Sequence, residues 1–216
     1  MTDLRIALVT GASRGLGAAF AEVLATSHHP IAVARTVGAL EELDDRIKAN
    51  GGSATLAPMD ITQTDAMAHL CHSIHERWGR LDLWIHAAIH APPLSPVDHI
   101  DANDWRLSIA TNATATATLI PMVAPLLNGR GSRAVFFDDP HTSEKFFGAY
   151  AATKAAQIAL ARAWSSETAR LGPAIHVVTP NPMSTATRAR FFPGEDRSAL
   201  ANPGEEALRL LDDPLG

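Results

Sequence analysis

Six short runs of branched and other apolar residues recur along the chain, at 4–9, 31–34, 54–57, 81–87, 132–137 and 174–178. Turn-forming or polar residues bound each run, and a stretch of helical periodicity separates it from the next. Short, continuously apolar runs read as strands buried on both faces, and strands alternating with helices of about 10 to 15 residues read as β-α-β units. Right-handed crossovers then lead to a sheet covered by helices on both sides. The pattern predicts an α/β fold, a three-layer, doubly wound parallel sheet of six strands, with ligands at the carboxyl ends of the strands. A hydrophobic content of 46% in 216 residues is enough for one core, so 1–216 is read as a single domain.

The residues at those strand ends carry chemistry. The first run enters Thr10-Gly11-Ala12-Ser13-Arg14-Gly15-Leu16-Gly17 and then an apolar helical stretch at 18–26. A strand, a glycine-rich turn and a helix N-terminus make an anion site, because glycine lets the backbone approach a pyrophosphate and the helix's free N–H groups face it. Three residues and then one separate these glycines, unlike the general dinucleotide fingerprint, and an ordinary tight turn is the plain alternative. The second run ends at Arg35. An acidic residue there bonds a ribose 2′-hydroxyl, whereas an arginine accommodates a 2′-phosphate. Arg35 and Arg14 together would clamp that phosphate, which favours NADP(H) over NAD(H).

Past the third run, Asp60 either accepts from an adenine amino group or caps a helix at 62–78. That helix carries His69, Cys71, His72 and His75, but the spacing fits zinc poorly and a solvated face accounts for it, so no metal is expected. Asn112 stands among small and β-branched residues in a helix at 101–117, where its amide is costly unless bonded. Tyr150, the only tyrosine, precedes Lys154 by one helical turn. A phenol with a pKa of about 10 is a poor proton donor near neutrality, and an ammonium one turn away favours its phenolate. The net charge of −5 gives no reason to expect nucleic acid or an anionic membrane. The single cysteine, the lack of a signal pattern and the lack of an apolar run of about 18 to 20 residues fit a cytoplasmic protein.

In order and spacing, TGASRGLG (10–17), Arg35, Asp60-Ile61, Leu81-Asp82-Leu83, Asn112, YAATK (150–154) and Pro180 through Thr185 resemble the short-chain dehydrogenase/reductase family over essentially the whole chain. Residues 188–196 are similar to an uncharacterised bacterial branch of it. The resemblance implies a Rossmann-type sheet and hydride transfer between a nicotinamide and a small-molecule carbonyl or alcohol. It implies cofactor contacts from Gly11, Ser13, Arg14, Gly15, Leu16, Gly17, Arg35, Asp60, Ile61, Ala87, Tyr150, Lys154, Pro180 and Thr185. Tyr150 would be the acid/base, and Lys154 would hold the nicotinamide ribose and lower the tyrosine pKa. Asn112 would organise a relay water, and Thr185 would contact the carboxamide.

Three places depart from the family pattern. The serine expected about a dozen residues before the tyrosine is replaced by Phe137-Asp138-Asp139, with Thr142 and Ser143 close to Tyr150. An ionised aspartate only accepts hydrogen bonds and repels an alkoxide, so it would replace serine only if protonated. The usual Asn-Asn-Ala-Gly reads His86-Ala87-Ala88-Ile89, with His86 expected to tie strands together, and the usual Pro-Gly reads Pro180-Asn181. The seventh strand of the family is expected to be missing, and a homodimer through helices near 101–127 and 148–171 is expected. Arg188 and Arg190 either meet an anionic substrate or are solvated. Two functions follow: an NADP-dependent oxidoreductase with an altered, weak site, or a non-catalytic NADP-binding sensor or scaffold.

Overall fold

A computed structural model describes residues 4–127, 131–141 and 144–212. Six strands, β1 (Arg5–Thr10), β2 (His28–Ala34), β3 (Thr55–Pro58), β4 (Leu83–His86), β5 (Arg133–Phe137) and β6 (Ala174–Val178), form one parallel sheet in the order β3-β2-β1-β4-β5-β6. The alternation of side chains along a strand divides the core between its two faces. Ile6, Leu8, Ile31, Val33, Trp84 and Phe136 pack with residues of α3 (Thr64–Trp78), α5 (Ala115–Val123) and α6 (Gly148–Thr168). Ala7, Val9, Leu83, Ile85 and Val135 pack on the other face, with α1 (Gly15–Leu24), α2 (Val37–Ala49) and α8 (Pro203–Asp212). Strands buried on both sides need no polar alternation, which is why the runs were legible.

The ends of elements differ from expectation for local reasons. Strand β2 begins at His28, ahead of the apolar run, because His28 and His29 pair with Arg5 and Ile6 of β1. Strand β4 is shorter than 81–87; just before it, the Asp82 carboxylate accepts from the Ile6 N–H at 2.7 Å while the Asp82 N–H donates to the Ile6 carbonyl at 2.9 Å. Asp60 does not cap α3, which starts at Thr64; its Oδ1 accepts from the Thr62 N–H and hydroxyl, both at 2.9 Å, and closes a turn. Beyond α4 (Ala102–Ser108), whose start Asp101 caps, the helix widens into a π-type turn over Ile109–Thr114 and continues as α5. Together these make a helical stretch, Ala102–Leu126, long and apolar enough by composition to cross a membrane, which the sequence reading had not identified. Leu119 and Val123 nevertheless have no accessible surface, being packed on the sheet.

The order of strands reverses between β1 and β4, and the loops leaving these two strands part there. Gly11, at φ +81°, crosses so near the β4 loop that a β-carbon would lie 2.6 Å from the Ala88 nitrogen. After β6 the chain is tied back by α8. Buried Glu206 accepts from the Asn181 N–H at 2.8 Å and its amide at 3.0 Å, while Arg209 closes a two-point ion pair on the same carboxylate.

These donors, Arg209 first, hold the Glu206 carboxyl at about 2, below its ordinary 4.5. A depressed carboxyl contributes stability above its unfolded pKa that is lost as the pH falls through the folded value. Glu206→Gln is therefore expected to destabilise the protein by about 2 kcal/mol at pH 7. Urea denaturation should show that difference closing as the pH is taken from 4.5 towards 2.

Candidate active site

The carboxyl ends of the strands surround a cavity of about 410 Å³. The glycine loop, Arg35, Asp60, Ile61, Ala87, Tyr150, Lys154, Pro180 and Thr185 all line it, with Thr185 beside Gly15. Every residue expected to contact a cofactor thus faces one space. Asn112 stands behind the wall.

Helix α1 begins at this cavity with no side-chain cap and no acidic residue in its first turn. Its N–H groups and positive end are therefore turned to whatever occupies the space. Gly17 permits this approach, since a β-carbon there would collide with the Gly11 carbonyl oxygen. Arg35 is two-thirds exposed at the rim, 3.8 Å from the Asp60 carboxylate. The uncapped helix end and glycine cradle fit the pyrophosphate of a dinucleotide.

Helix α6 carries Tyr150 and Lys154 on one face, and both are buried. The edge of Phe191 lies against the Tyr150 ring, with centroids 4.9 Å apart. The tyrosine hydroxyl donates to Asp139 Oδ2 at 2.9 Å. Burial first, and then the negative charge and hydrogen bond of Asp139, push the Tyr150 pKa up. This corrects the expectation that Lys154 lowers it. The ammonium turns instead to the Gln157 side-chain oxygen at 2.8 Å, and burial brings its own pKa down to about 8.

Gln157 belongs to a buried polar chain that sequence reasoning missed. Its amide donates to Thr116 Oγ1 at 3.1 Å, and that hydroxyl donates to the Asn112 carbonyl at 2.9 Å. His86 Nε2 lies 3.0 Å from the same oxygen, and His86 Nδ1 lies 2.8 Å from the Thr10 hydroxyl. Thr116 spends its one hydrogen on Asn112, so the network assigns the histidine proton to Nε2 and leaves Nδ1 to accept from Thr10. Burial, reinforced by Lys154, pushes the His86 pKa down to about 3 and keeps it neutral. The i,i+3 spacing of Lys154 and Gln157 was the available sequence signal for part of this chain.

The relay role read for Asn112 meets a different arrangement. Its amide donates to the His90 carbonyl and the Thr153 hydroxyl, both at 2.9 Å, and its oxygen accepts from the His90 N–H at 2.7 Å. It pins the β4 loop to α6. Asp138 is held by Arg162 at 2.8 Å, which leaves Asp139 as the carboxylate at the tyrosine. Thr142 and Ser143 lie outside the described residues. The two arginines read as possible anion contacts are engaged: Arg188 makes a two-point pair with Glu195 and covers Phe192, and Arg190 donates to the Ala91 carbonyl. Thr185 caps α7 (Ala186–Phe191), accepting from the Arg188 N–H at 3.2 Å. On α3, Cys71 is buried and His72 faces Glu76.

The family model described as short chain dehydrogenase matches residues 5–196. Among curated proteins, the uncharacterized oxidoreductase Lmo0432 of Listeria monocytogenes is 30% identical over 188 residues, covering 85% of this chain and 75% of that protein. Sorbitol dehydrogenase of Cereibacter sphaeroides is 27% identical over 182 residues, covering 82% and 70%. Glycine betaine reductase ATRR of Emericella nidulans is 27% identical over 97% of this chain, which spans only 16% of that longer protein. Among solved structures, a short chain dehydrogenase from Escherichia coli CFT073 complexed with NADPH superposes with a TM-score of 0.87 at 28% identity, covering 95% of this chain and 89% of that one. One from Shigella flexneri complexed with NADP gives 0.87 at 26%, covering 95% and 90%.

The buried chain makes a direct prediction. Gln157→Leu strands the Lys154 ammonium without its acceptor, and unmet buried polar groups cost about 1–3 kcal/mol each. The urea midpoint of this variant at neutral pH should fall by a corresponding amount at an unchanged slope.

Proposed function

The chain belongs to the short-chain dehydrogenase family of NAD(P)-dependent oxidoreductases, and we propose that it is an NADP-dependent member interconverting a small carbonyl compound and an alcohol. One observation carries this reading: Tyr150 and Lys154 line the same continuous cavity as the glycine loop and Arg35. A dinucleotide long enough to touch both ends would bring its reacting end to the tyrosine.

When bound, the nicotinamide supplies the hydride donor or acceptor, and the protein supplies placement and the proton. The uncapped start of α1, with Gly11, Ser13, Gly15, Leu16 and Gly17, would hold the pyrophosphate. Arg35 and Arg14 would hold the 2′-phosphate as planar, permanently charged forks, which supports NADP(H) over NAD(H). Asp60 would accept from adenine and Ile61 would pack beside it. Lys154 would leave Gln157 for the ribose hydroxyls, and Pro180 and Thr185 would meet the carboxamide. Ile89, Phe191 and Phe192 give the substrate end an apolar wall. No serine hydroxyl reaches Tyr150 among the described residues; Asp139 stands there, so the site is an altered one.

A second reading, a nucleotide-binding sensor or scaffold without catalysis, is favoured by the fact that Tyr150 and Lys154 both bond to protein partners. A homodimer would cover the outward apolar side of Ala102–Leu126, whose inner side is already packed, and this leaves no call for a bilayer. A cytoplasmic location accords with the free, buried Cys71.

Calorimetric titration tests the cofactor. NADPH is expected to bind at least about tenfold more tightly than NADH, and Arg35→Asp should remove that preference by weakening NADPH alone. Across a panel of carbonyls and alcohols, Tyr150→Phe should lower turnover by about 100-fold or more without changing cofactor affinity. Tight NADPH binding with no turnover of any compound would favour the sensor reading.

A further inference from the structure

Around Asp139 the hydrogen bonds have a direction. The Tyr150 hydroxyl gives its hydrogen to Asp139 Oδ2. The other carboxylate oxygen accepts from the His141 N–H at 3.3 Å and faces His141 Nε2 at 3.6 Å. His141 Nδ1 lies 2.7 Å from Glu144 Oε1, a carboxylate that can only accept, so Nδ1 carries the histidine's proton. The Nε2 atom also faces Arg188, which can only donate, at 3.5 Å, so Nε2 presents a lone pair. The buried phenol of Tyr150 therefore gives its hydrogen to a carboxylate whose side chain is a quarter exposed, beside His141 and the half-exposed Glu144. On the inner side, Lys154 is bonded to Gln157.

We propose that Asp139 is a catalytic residue: when the site oxidises an uncharged hydroxyl compound, it receives the hydroxyl proton of Tyr150 as Tyr150 receives one from the substrate. The proposal rests on the oxidoreductase reading above and assigns the proton acceptor of that site. The alcohol O–H bond breaks and its proton goes to Tyr150 Oη, while the Tyr150 O–H bond breaks and its proton goes to Asp139 Oδ2. The electron pair of the substrate C–H bond passes as hydride to the oxidised nicotinamide, and the C–O bond becomes a carbonyl. Asp139, whose side chain is a quarter exposed, then returns its proton to solvent. In the reverse direction, tyrosinate and carboxylate would have to stand side by side unless Asp139 were first protonated. The same negative charge excludes anionic substrates, since Arg188 and Arg190 are already engaged. The groups facing the pair are Asp138, His141 and Glu144 from its own loop, Lys154 from α6 and Arg188 from α7.

Because Tyr150 is the only tyrosine, its ionisation can be followed without cofactor or substrate by tyrosinate absorbance. Asp139→Asn keeps the shape and removes the negative charge. It is expected to bring tyrosinate formation down by at least about one pH unit, and Tyr150→Phe should abolish the signal. With NADP+ and a panel of neutral secondary alcohols, Asp139→Asn should lower kcat by about 100-fold with KM little changed, and Asp139→Glu should recover part of the loss. An unchanged tyrosine titration overturns the proposal, as does an Asp139→Asn variant that oxidises alcohols as fast as the parent. A shifted titration in a protein that fails to bind NADP+ overturns the oxidoreductase reading, and the catalytic assignment with it. If Asp139→Asn does not fold, Asp139→Ser is read by the same two measurements.

Discussion

The structure depends on one buried hydrogen-bonded chain, running from Thr10 of β1 through His86 of β4 and Thr116 of α5 to Gln157 and Lys154 of α6. It joins the two strands at the point where the sheet changes direction to the helix that carries the tyrosine. A single hydrogen bond adds only about 1 kcal/mol net, but a buried donor or acceptor left unmet costs more. A chain in which every member has a partner thus selects one placement of α6 against the sheet, because any slip leaves several groups without partners. Neutral His86 suits this role, since it donates at one nitrogen and accepts at the other.

At the tyrosine end of the site built on that frame, two carboxylates lie together. Asp138 and Asp139 follow one another at the end of β5, and only the first is neutralised directly, by Arg162. The second lies against a buried phenol, where desolvation strengthens its influence. The positive charges nearby have other duties: Arg188 is taken by Glu195 and Lys154 by Gln157. A carboxylate accepts the hydrogen of Tyr150, so the tyrosine donates to the protein.

Much of the fold was legible because the six strands are buried on both faces and need no polar alternation. Their order in the chain, with helices between, admits few topologies. Boundaries were less legible where a polar residue took part in a ladder, as at His28 and His29, or where an element starts later than expected beside a bonded aspartate, as α3 does after Asp60 and β4 after Asp82. The helix near 101–127 was expected, but its apolar length was not legible because no single apolar run announces it. A π-type turn and small or hydroxyl-bearing residues interrupt the pattern, yet the backbone stays helical.

Local spacing by itself determined the residues that share one helical turn or one loop. Tyr150 and Lys154 fall on a single face, and the glycines meet the start of α1, because these relations follow from helix and turn geometry over a few residues. Only the tertiary structure decided what those side chains bond to. Asp139 and Asp138 are neighbours in sequence, and nothing local says that one goes to Tyr150 and the other to Arg162. Nor does spacing say that Lys154 turns to Gln157, or that Asn112 serves the loop after β4. A polar side chain selects its partner by where burial leaves an unmet donor or acceptor, and that depends on how distant segments pack.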